Sequence, residues 1–495
     1  MKIRYILGVC LALAATSLSQ AESEDTEYFA VFMEGKKVGH AIQSRVVADG
    51  KVTTSEKVSI TMSRAKVPVT VNMTETGIET AEGKPLGFEL VHELAAMTMK
   101  VTGTIDKQGT LNLTTTSMGA EQKSTLQWPS GAVMAEGLRL LSLKQGLKEG
   151  SQYSARIFSP GFLQALDVQI HVGPKQNIDL LGRVVTLTEV TTTYSITGAG
   201  EIVSTSYVDQ NLRTQKDITS IAGMKVEMIA CTKEFALSEN EVFEVIDKVF
   251  LASPRPLDNV GLAKSIVYHL SPTKEVDLII PSNDNQKVSA SGGLKTGTVI
   301  VTVEPVITPT GARFPYKGKN KTVLEAMQPN RFLQSDRKEI MDLACRAVGD
   351  TKDAAEAAKK IESFVAKYIK KGNLSVGYAT AVEVAASRQG DCSEFAVLTA
   401  AMCRAVGIPA QVAVGVAYVK EWQDLRDCFG PHAWVQAYVG DKWICLDAAF
   451  KSVGLDGYGP GHIILAVGNG EPADFFNLIT TLGQFKIDKV IVNTK

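Results

Sequence analysis

Neither long apolar runs nor a charge imbalance marks the mature part of this sequence. Beyond the first 21 residues no stretch reaches the ~18 apolar residues of a membrane span, so no membrane-spanning helix is expected. The 52 basic and 53 acidic side chains nearly cancel, which leaves no field to gather nucleic acid. Cysteine is sparse, at seven, and Cys10 lies inside the apolar leader, too early for lipid attachment. If one of the other six thiols is kept for chemistry, five remain and at most two bridges can form, so this is not a scaffold built on disulfides. Paired CxxC and HExxH motifs are missing, which argues against a structural zinc site, and neither metal nor cofactor is expected. Internal repeats and low-complexity tracts are missing too.

What is present begins with an export signal. Lys2 and Arg4, the apolar Ile6 to Ala15 and the small-residue site Ser19-Gln20-Ala21 read as a leader covering 1–21, which implies a periplasmic or secreted protein. At 495 residues the remainder exceeds one core. Residues 22–254 alternate Val, Thr and Ser at period two, as in Val58 to Ser63, Val69 to Thr74, Thr98 to Asp106 and Val184 to Ile196. That spacing predicts an antiparallel β-rich domain of ten or more strands with one helix between Gly131 and Leu147. Acidic residues followed by Pro254 and Pro256 suggest a connection near 255. Residues 255–329 hold strand-like runs at Ser265 to Ser271, Val276 to Ile280 and Thr298 to Val306, either a small β layer or the first strands of the last domain. From 330 to 495 the pattern turns α+β, with helices expected from a Ser335 cap to Val348 and from Asp353 to Lys371.

The chemistry concentrates at Gly390-Asp391-Cys392-Ser393-Glu394. Asp391 with Glu394 three residues on is a capping box, and Gly407 with Pro409 a stop, so Cys392 opens a helix of ~15 residues. Unpaired amides and the positive dipole end at a helix start favour a thiolate, although Asp391 opposes this. A buried cysteine is otherwise an ordinary small hydrophobe. Strand Gln411 to Val419, a polar loop holding Asp424, Arg426 and Asp427, and a hairpin of His432 to Val439 and Lys442 to Asp447 about Gly440-Asp441 come next. If Val439 pairs with Lys442, His432 and Asp447 become diagonal neighbours on one face, ~7 to 8 Å apart at Cα and within hydrogen-bond reach. Ala433, Val435, Ala437, Ile444 and Leu446 share the other face. Cys392, His432 and Asp447 are therefore the candidate nucleophile, base and orienting carboxylate. Cys403 and Cys445 read as core or disulfide partners. Trp434, Trp443 and Tyr438 read either as the floor of an acyl cleft or as packing, and His462 is a weaker base candidate with no matching carboxylate.

The run from Ala386 to Glu394, Leu398 to Pro409, His432-Ala433-Trp434-Val435, and Trp443 with Leu446-Asp447-Ala448 resemble the transglutaminase-like superfamily, a papain-related group, over about 375–450 and by extension 330–495. The resemblance implies an α+β catalytic domain in which Cys392 forms a thioester with a carboxamide or peptide carbonyl, His432 shuttles the proton and Asp447 orients it. An amine acceptor would give crosslinking, and water deamidation or proteolysis. The upstream indole of the eukaryotic transglutaminases has no counterpart, since no Trp lies between 331 and 421, and their calcium sites are not legible. The expectation is an exported cysteine hydrolase acting on protein or peptide amide bonds, with amine transfer or a non-catalytic binding protein as alternatives. The N-terminal β domain would position substrate or dock an envelope protein. Mass analysis of the protein recovered from its native compartment is expected to give a chain starting at Glu22; recovery of intact Met1 with residues 2–21 attached would refute export.

Overall fold

The computed structural model describes residues 23–494, apart from 65, 95–96, 118–119, 197–199, 222, 259, 274–277, 292–296, 373–378 and 471–480; the leader at 1–21 lies outside the described residues. Packing divides the chain into Met1–Val245 and Ile246–Lys495. No helix among the described residues is long and apolar enough to cross a membrane.

The first unit is an antiparallel β structure, as its period-two pattern requires. Its 15-stranded sheet runs outward in two meanders from the pairing of Ser23–Met33 with Met224–Cys231. The expected strands are there, three of them longer than read at Lys51–Arg64, Val67–Thr80 and Arg183–Ile196, and the fourth shifted by one residue at Met97–Ile105. Alternation sends Val58, Ile60 and Met62 of one strand, and Leu111 and Leu113 of another, into the core. Among the described residues the one long helix of this unit, Ala135–Gln145, follows a two-residue strand at Ala132–Val133. Met134 cannot cap it, so its first amides find a carboxylate elsewhere. Glu136 and Gly137 donate their N–H groups to Glu79 at 2.6 and 2.9 Å, while the buried Glu136 carboxylate is held between Arg45 and Arg139 at 2.9 and 2.6 Å.

This unit also carries acid where a sheet interior is normally apolar. Register aligns Glu27 with Gln43, Gln43 with Glu56 and Glu56 with Glu75, a polar row across four neighbouring strands. Burial pushes the Glu75 carboxyl up to about 8 and, with the Glu75 charge beside it, drives Glu56 well above the carboxylate range. On Thr214–Ile221, Asp217 takes hydroxyl hydrogen bonds from Ser204 at 2.8 Å and Ser206 at 2.5 Å, yet burial still pushes it up to about 6.

Among the described residues the second unit holds two larger sheets, a two-stranded pair and a set of helices. One sheet orders Leu251–Ala252, Leu425–Val439, Ala410–Trp422 and His462–Gly468, with Lys442–Leu446 pairing onto Leu425–Val439. The other orders Gln286–Ser291, Thr298–Val303, Ser265–Pro272 and Phe485–Asn493, so the strand-like runs before 330 form a layer with the C-terminal strand. The buried Gln286 amide ties the sheets, donating to the Ile464 carbonyl at 3.0 Å and accepting its N–H at 2.8 Å. The strand expected at Val276 to Ile280 is not formed over 278–280, and its first residues lie among those not described; the pairing partner is Gln286–Ser291 instead. The stretch expected as a polar loop is a continuation of the hairpin, with Trp422 paired to Leu425 around Gln423 and Asp424. Backbone pairing needs no apolar side chain, and exposed polar residues extend a hairpin freely.

Helices fall at Lys338–Val348, Ala354–Tyr368, Ala381–Ser387 and Cys392–Ala405. Ser335 is not the cap expected of it. Backbone bonds from Ser335 to Leu333 and from Arg337 to Gln334 make a turn first, which delays the helix to Lys338. Asp353 does cap the next, accepting from Glu356 N–H at 2.9 Å, but that helix ends at Tyr368 because Ile369 is extended and Lys371-Gly372 pairs with Gln389-Gly390. In Asp217, whose folded form holds its proton more tightly than the unfolded chain does, stability is present below about pH 4 and lost as pH rises through 6. The loss is on the order of 3 kcal/mol at most. Thermal unfolding followed between pH 4 and 7 should show that slope reduced in Asp217→Asn, and an unchanged slope would refute the assignment.

Candidate active site

Cys392 is the first residue of its helix, as its capping residues demand. Asp391 accepts Ser393 N–H at 2.9 Å, and the Glu394 carboxylate returns to Asp391 N–H at 2.8 Å and to Ala379 N–H at 2.8 Å. Every residue from Ser393 to Arg404 is buried, so the helix start cannot drift. At the far end, Arg404 donates to the carbonyls of Ala410 and Gln328 and to Asn469 at 2.8, 2.5 and 2.8 Å, a cation where the helix dipole is negative. Gly407, in the left-handed region at φ 84, closes that end, and a side chain there would also strike Pro315.

His432 and Asp447 meet through the expected register. Val439 pairs with Lys442 and Val435 with Leu446, so one step further the two polar side chains lie diagonally on one face. His432 Nε2 is 2.7 Å from Asp447 Oδ2. That leaves Nδ1 of the same ring for the thiol of Cys392, to which the imidazole is hydrogen-bonded. Phe450 lies against the ring at 4.5 Å between centroids. Burial opposes an imidazolium here, but the Asp447 charge, its hydrogen bond and Cys392 outweigh it and push His432 up to about 10. Burial likewise opposes ionised Asp447, and the charge and hydrogen bond of His432, with a further bond from His462, hold its carboxyl well below the usual range. Asp447 is also the cap of the short helix Ala448–Ser452, accepting Phe450 N–H at 2.9 Å, while its own N–H goes to Glu362 at 2.7 Å.

Two features of this site were not legible in the sequence. His462, read there as lacking a carboxylate, has one, and it is Asp447: Nε2 of His462 lies 2.9 Å from the same Oδ2 that His432 uses. The reason is a strand pairing, Ala417 with His462, that sets His462–Gly468 beside Ala410–Trp422, whose other edge pairs with the strand carrying His432. Glu362, on the Ala354–Tyr368 helix, serves the Asp447 backbone and Lys451 Nζ, and no local pattern announces it. Trp434 is 1% exposed and packs with Ala413 and Ile464, while Tyr438 stands edge-on to Trp443 at 5.1 Å and to Tyr316 at 5.6 Å, so these aromatics are packing. All six described cysteines are free thiols, and burial pushes Cys403 and Cys445 up to about 12. His432, Asp447 and His462 offer three ligand atoms within 4.8 Å of one another. Their 2.7 and 2.9 Å contacts are hydrogen-bond lengths, shorter than the roughly 3.3 Å separating two ligands on one tetrahedral ion.

A thiol at the start of a buried helix, set against a strand-borne imidazole and carboxylate, defines an α+β fold of the papain-related type. Residues 342–448 match the transglutaminase-like superfamily, and the C-terminal unit carries a domain of that superfamily. Among solved structures the chain is similar to a provisionally named cysteine protease from Cytophaga hutchinsonii, at 18% identity and TM-score 0.30 over 47% of this chain and 86% of that one. It is similar too to a β-barrel-like protein of a domain of unknown function from Brucella abortus, at 11% and 0.33 over 43% and 98%. A provisionally named protease from Parabacteroides distasonis gives 12% and 0.18 over 71% and 64%. No protein of curated function matches.

Gly390, just ahead of the cysteine, has no room for a side chain, because a Cβ there would stand 2.2 Å from Glu394 Cβ. Gly390→Ala should displace the Glu394 carboxylate from both amides it accepts, lower stability by about 1 to 3 kcal/mol and slow alkylation of Cys392. A denaturation midpoint and labelling rate equal to those of the unaltered protein would refute this.

Proposed function

We propose that the protein is an exported, thiol-dependent acyl-transfer enzyme, a cysteine hydrolase acting on protein or peptide amide bonds. The observation that carries this reading is the continuous chain of hydrogen bonds from Asp447 through His432 to Cys392 at a capped helix start. Transfer of the Cys392 thiol proton to the neutral His432 ring would give a thiolate–imidazolium pair, the nucleophile and acid the reaction needs. In the reaction, Cys392 Sγ attacks the amide carbon, and the oxygen gathers charge at the first N–H of the helix, that of Cys392. His432 then gives its proton to the leaving amine as the C–N bond breaks, which leaves a thioester on Cys392. Water, deprotonated by the now neutral His432, attacks the thioester, releasing the acid and returning the proton. An amine arriving in place of water would give transfer instead, and no feature among the described residues of the site selects an amine.

The test needs no known substrate. Iodoacetamide should alkylate Cys392 from about pH 5 to 8 markedly faster than a free thiol, and Cys392→Ala, His432→Ala and Asp447→Asn should each abolish or strongly slow this labelling or the turnover of casein-type peptide mixtures. Incubation with a labelled primary amine and a glutamine-bearing protein decides the acceptor: incorporation would replace hydrolysis by amine transfer. Labelling no faster than that of a free thiol would leave a non-catalytic binding protein on the same fold.

A further inference from the structure

The Asp447 carboxylate serves two imidazoles through one oxygen. Oδ2 lies 2.7 Å from His432 Nε2 and 2.9 Å from His462 Nε2, while Oδ1 is occupied by the Phe450 N–H. A carboxylate in that position cannot swing toward one ring without loosening the other. His462 is itself fixed at both ends. Its Nδ1 stands 2.9 Å from the Gly459 carbonyl oxygen and 3.4 Å from the Gly459 N–H, so one turn can serve the ring whether or not Nδ1 carries a proton. The ring is 2% exposed, boxed by Tyr458, Phe450 and Trp434 at 4.8, 4.9 and 5.0 Å between centroids.

A buried histidine is most often a satisfied core residue, and packing alone would account for the aromatic box. It does not account for an N–H aimed at the one carboxylate that orients His432. The titratable groups near His462 are Asp447, the His432 ring at 5.6 Å and Tyr458, whose ring lies at 4.8 Å and whose hydroxyl interacts with Cys445, with the Glu362–Lys451 pair behind the Asp447 backbone. Burial and the His432 charge push His462 down, against the pull of Asp447, so the two rings do not carry charge together. In its neutral form with the proton on Nε2, His462 is a donor to Asp447.

We propose that His462 is a positioning residue that stabilises the Asp447 carboxylate in the half of the cycle when His432 has given up its proton. This rests on the triad reading above. While His432 is an imidazolium, the carboxylate is compensated by it. Once the proton has gone to the leaving amine, a buried anion is left with a neutral ring, and a second fixed donor is worth most at that moment. Without it His432 would hold its proton too tightly to act as an acid. His462 thus moderates the basicity that Asp447 confers on its first partner.

The experiment uses the full mature chain labelled with ¹⁵N-histidine, the His432 ring being assigned by its loss in His432→Asn. Two variants are compared. His462→Phe fills the aromatic box without a donor, and His462→Gln supplies an amide N–H toward Asp447 but cannot titrate. The expected result is that His462→Phe moves the His432 titration upward by about one pH unit, with the descending limb of Cys392 alkylation by iodoacetate following it. His462→Gln should bring both back toward the unaltered protein. A His432 titration that stays put or falls in His462→Phe, or that His462→Gln fails to restore, overturns the proposal. Slow iodoacetate labelling of Cys392 in the unaltered protein is a separate outcome, and it would overturn the triad reading itself.

Discussion

The structure of the second unit turns on one buried carboxylate. Asp447 is 1% exposed and ionised, and a charge so placed is tolerable only if every lone pair has a donor and a counter-charge lies close. Those demands set the surroundings one by one. His432 must sit on the adjacent strand at the diagonal position, the chain must turn into a helix straight after Asp447 so that Phe450 N–H faces back, and Glu362 must reach in to take the Asp447 amide. Losing either partner would leave an uncompensated charge in an apolar surround, and for that reason the geometry is rigid where chemistry needs it rigid.

Rigidity at the thiol has a different origin. Besides its hydrogen bond to His432, Cys392 is held by the helix, whose interior is buried along its length and whose first turn is closed by carboxylates on both sides of the cysteine. The same burial that makes the helix immobile silences the competing thiols, since Cys403 on the same helix and Cys445 on the hairpin are both pushed to about 12. Cys345 is an exposed free thiol away from the imidazole, and of the six described thiols Cys392 is the one set at a helix start and hydrogen-bonded to His432.

The first unit shows the opposite use of burial. Its strands line up Glu27, Gln43, Glu56 and Glu75 across neighbouring strands of the sheet, and Asp217 is held by two serine hydroxyls instead of a cation. Where the second unit keeps a buried acid charged by pairing it with imidazole, the first holds its acids toward the neutral form by giving them no full counter-charge. Glu136, which has Arg45 and Arg139, and Glu227, which has Lys216 and Lys225, are held low instead.

Much of this architecture could be read from the chain. Period-two alternation is a local consequence of strand geometry, so the β unit was visible without coordinates. The Asp391–Glu394 spacing and Gly407 are local consequences of helix ends, so the start and stop of the Cys392 helix were visible too. Even the His432–Asp447 pair was accessible, because a two-residue turn determines hairpin register and register determines which side chains are diagonal. Reading by propensity failed where backbone contacts overruled side-chain cues, as at Ser335, or where polar residues continued a strand past the expected loop. What only the tertiary structure decided is the convergence of distant elements: the helix that carries Glu362 and the strand that begins at His462 both end on Asp447, and neither lies within a turn or a hairpin of it. Residues within one element are placed by backbone periodicity, which sequence encodes; residues on different elements are placed by how cores pack, and no spacing along the chain records that.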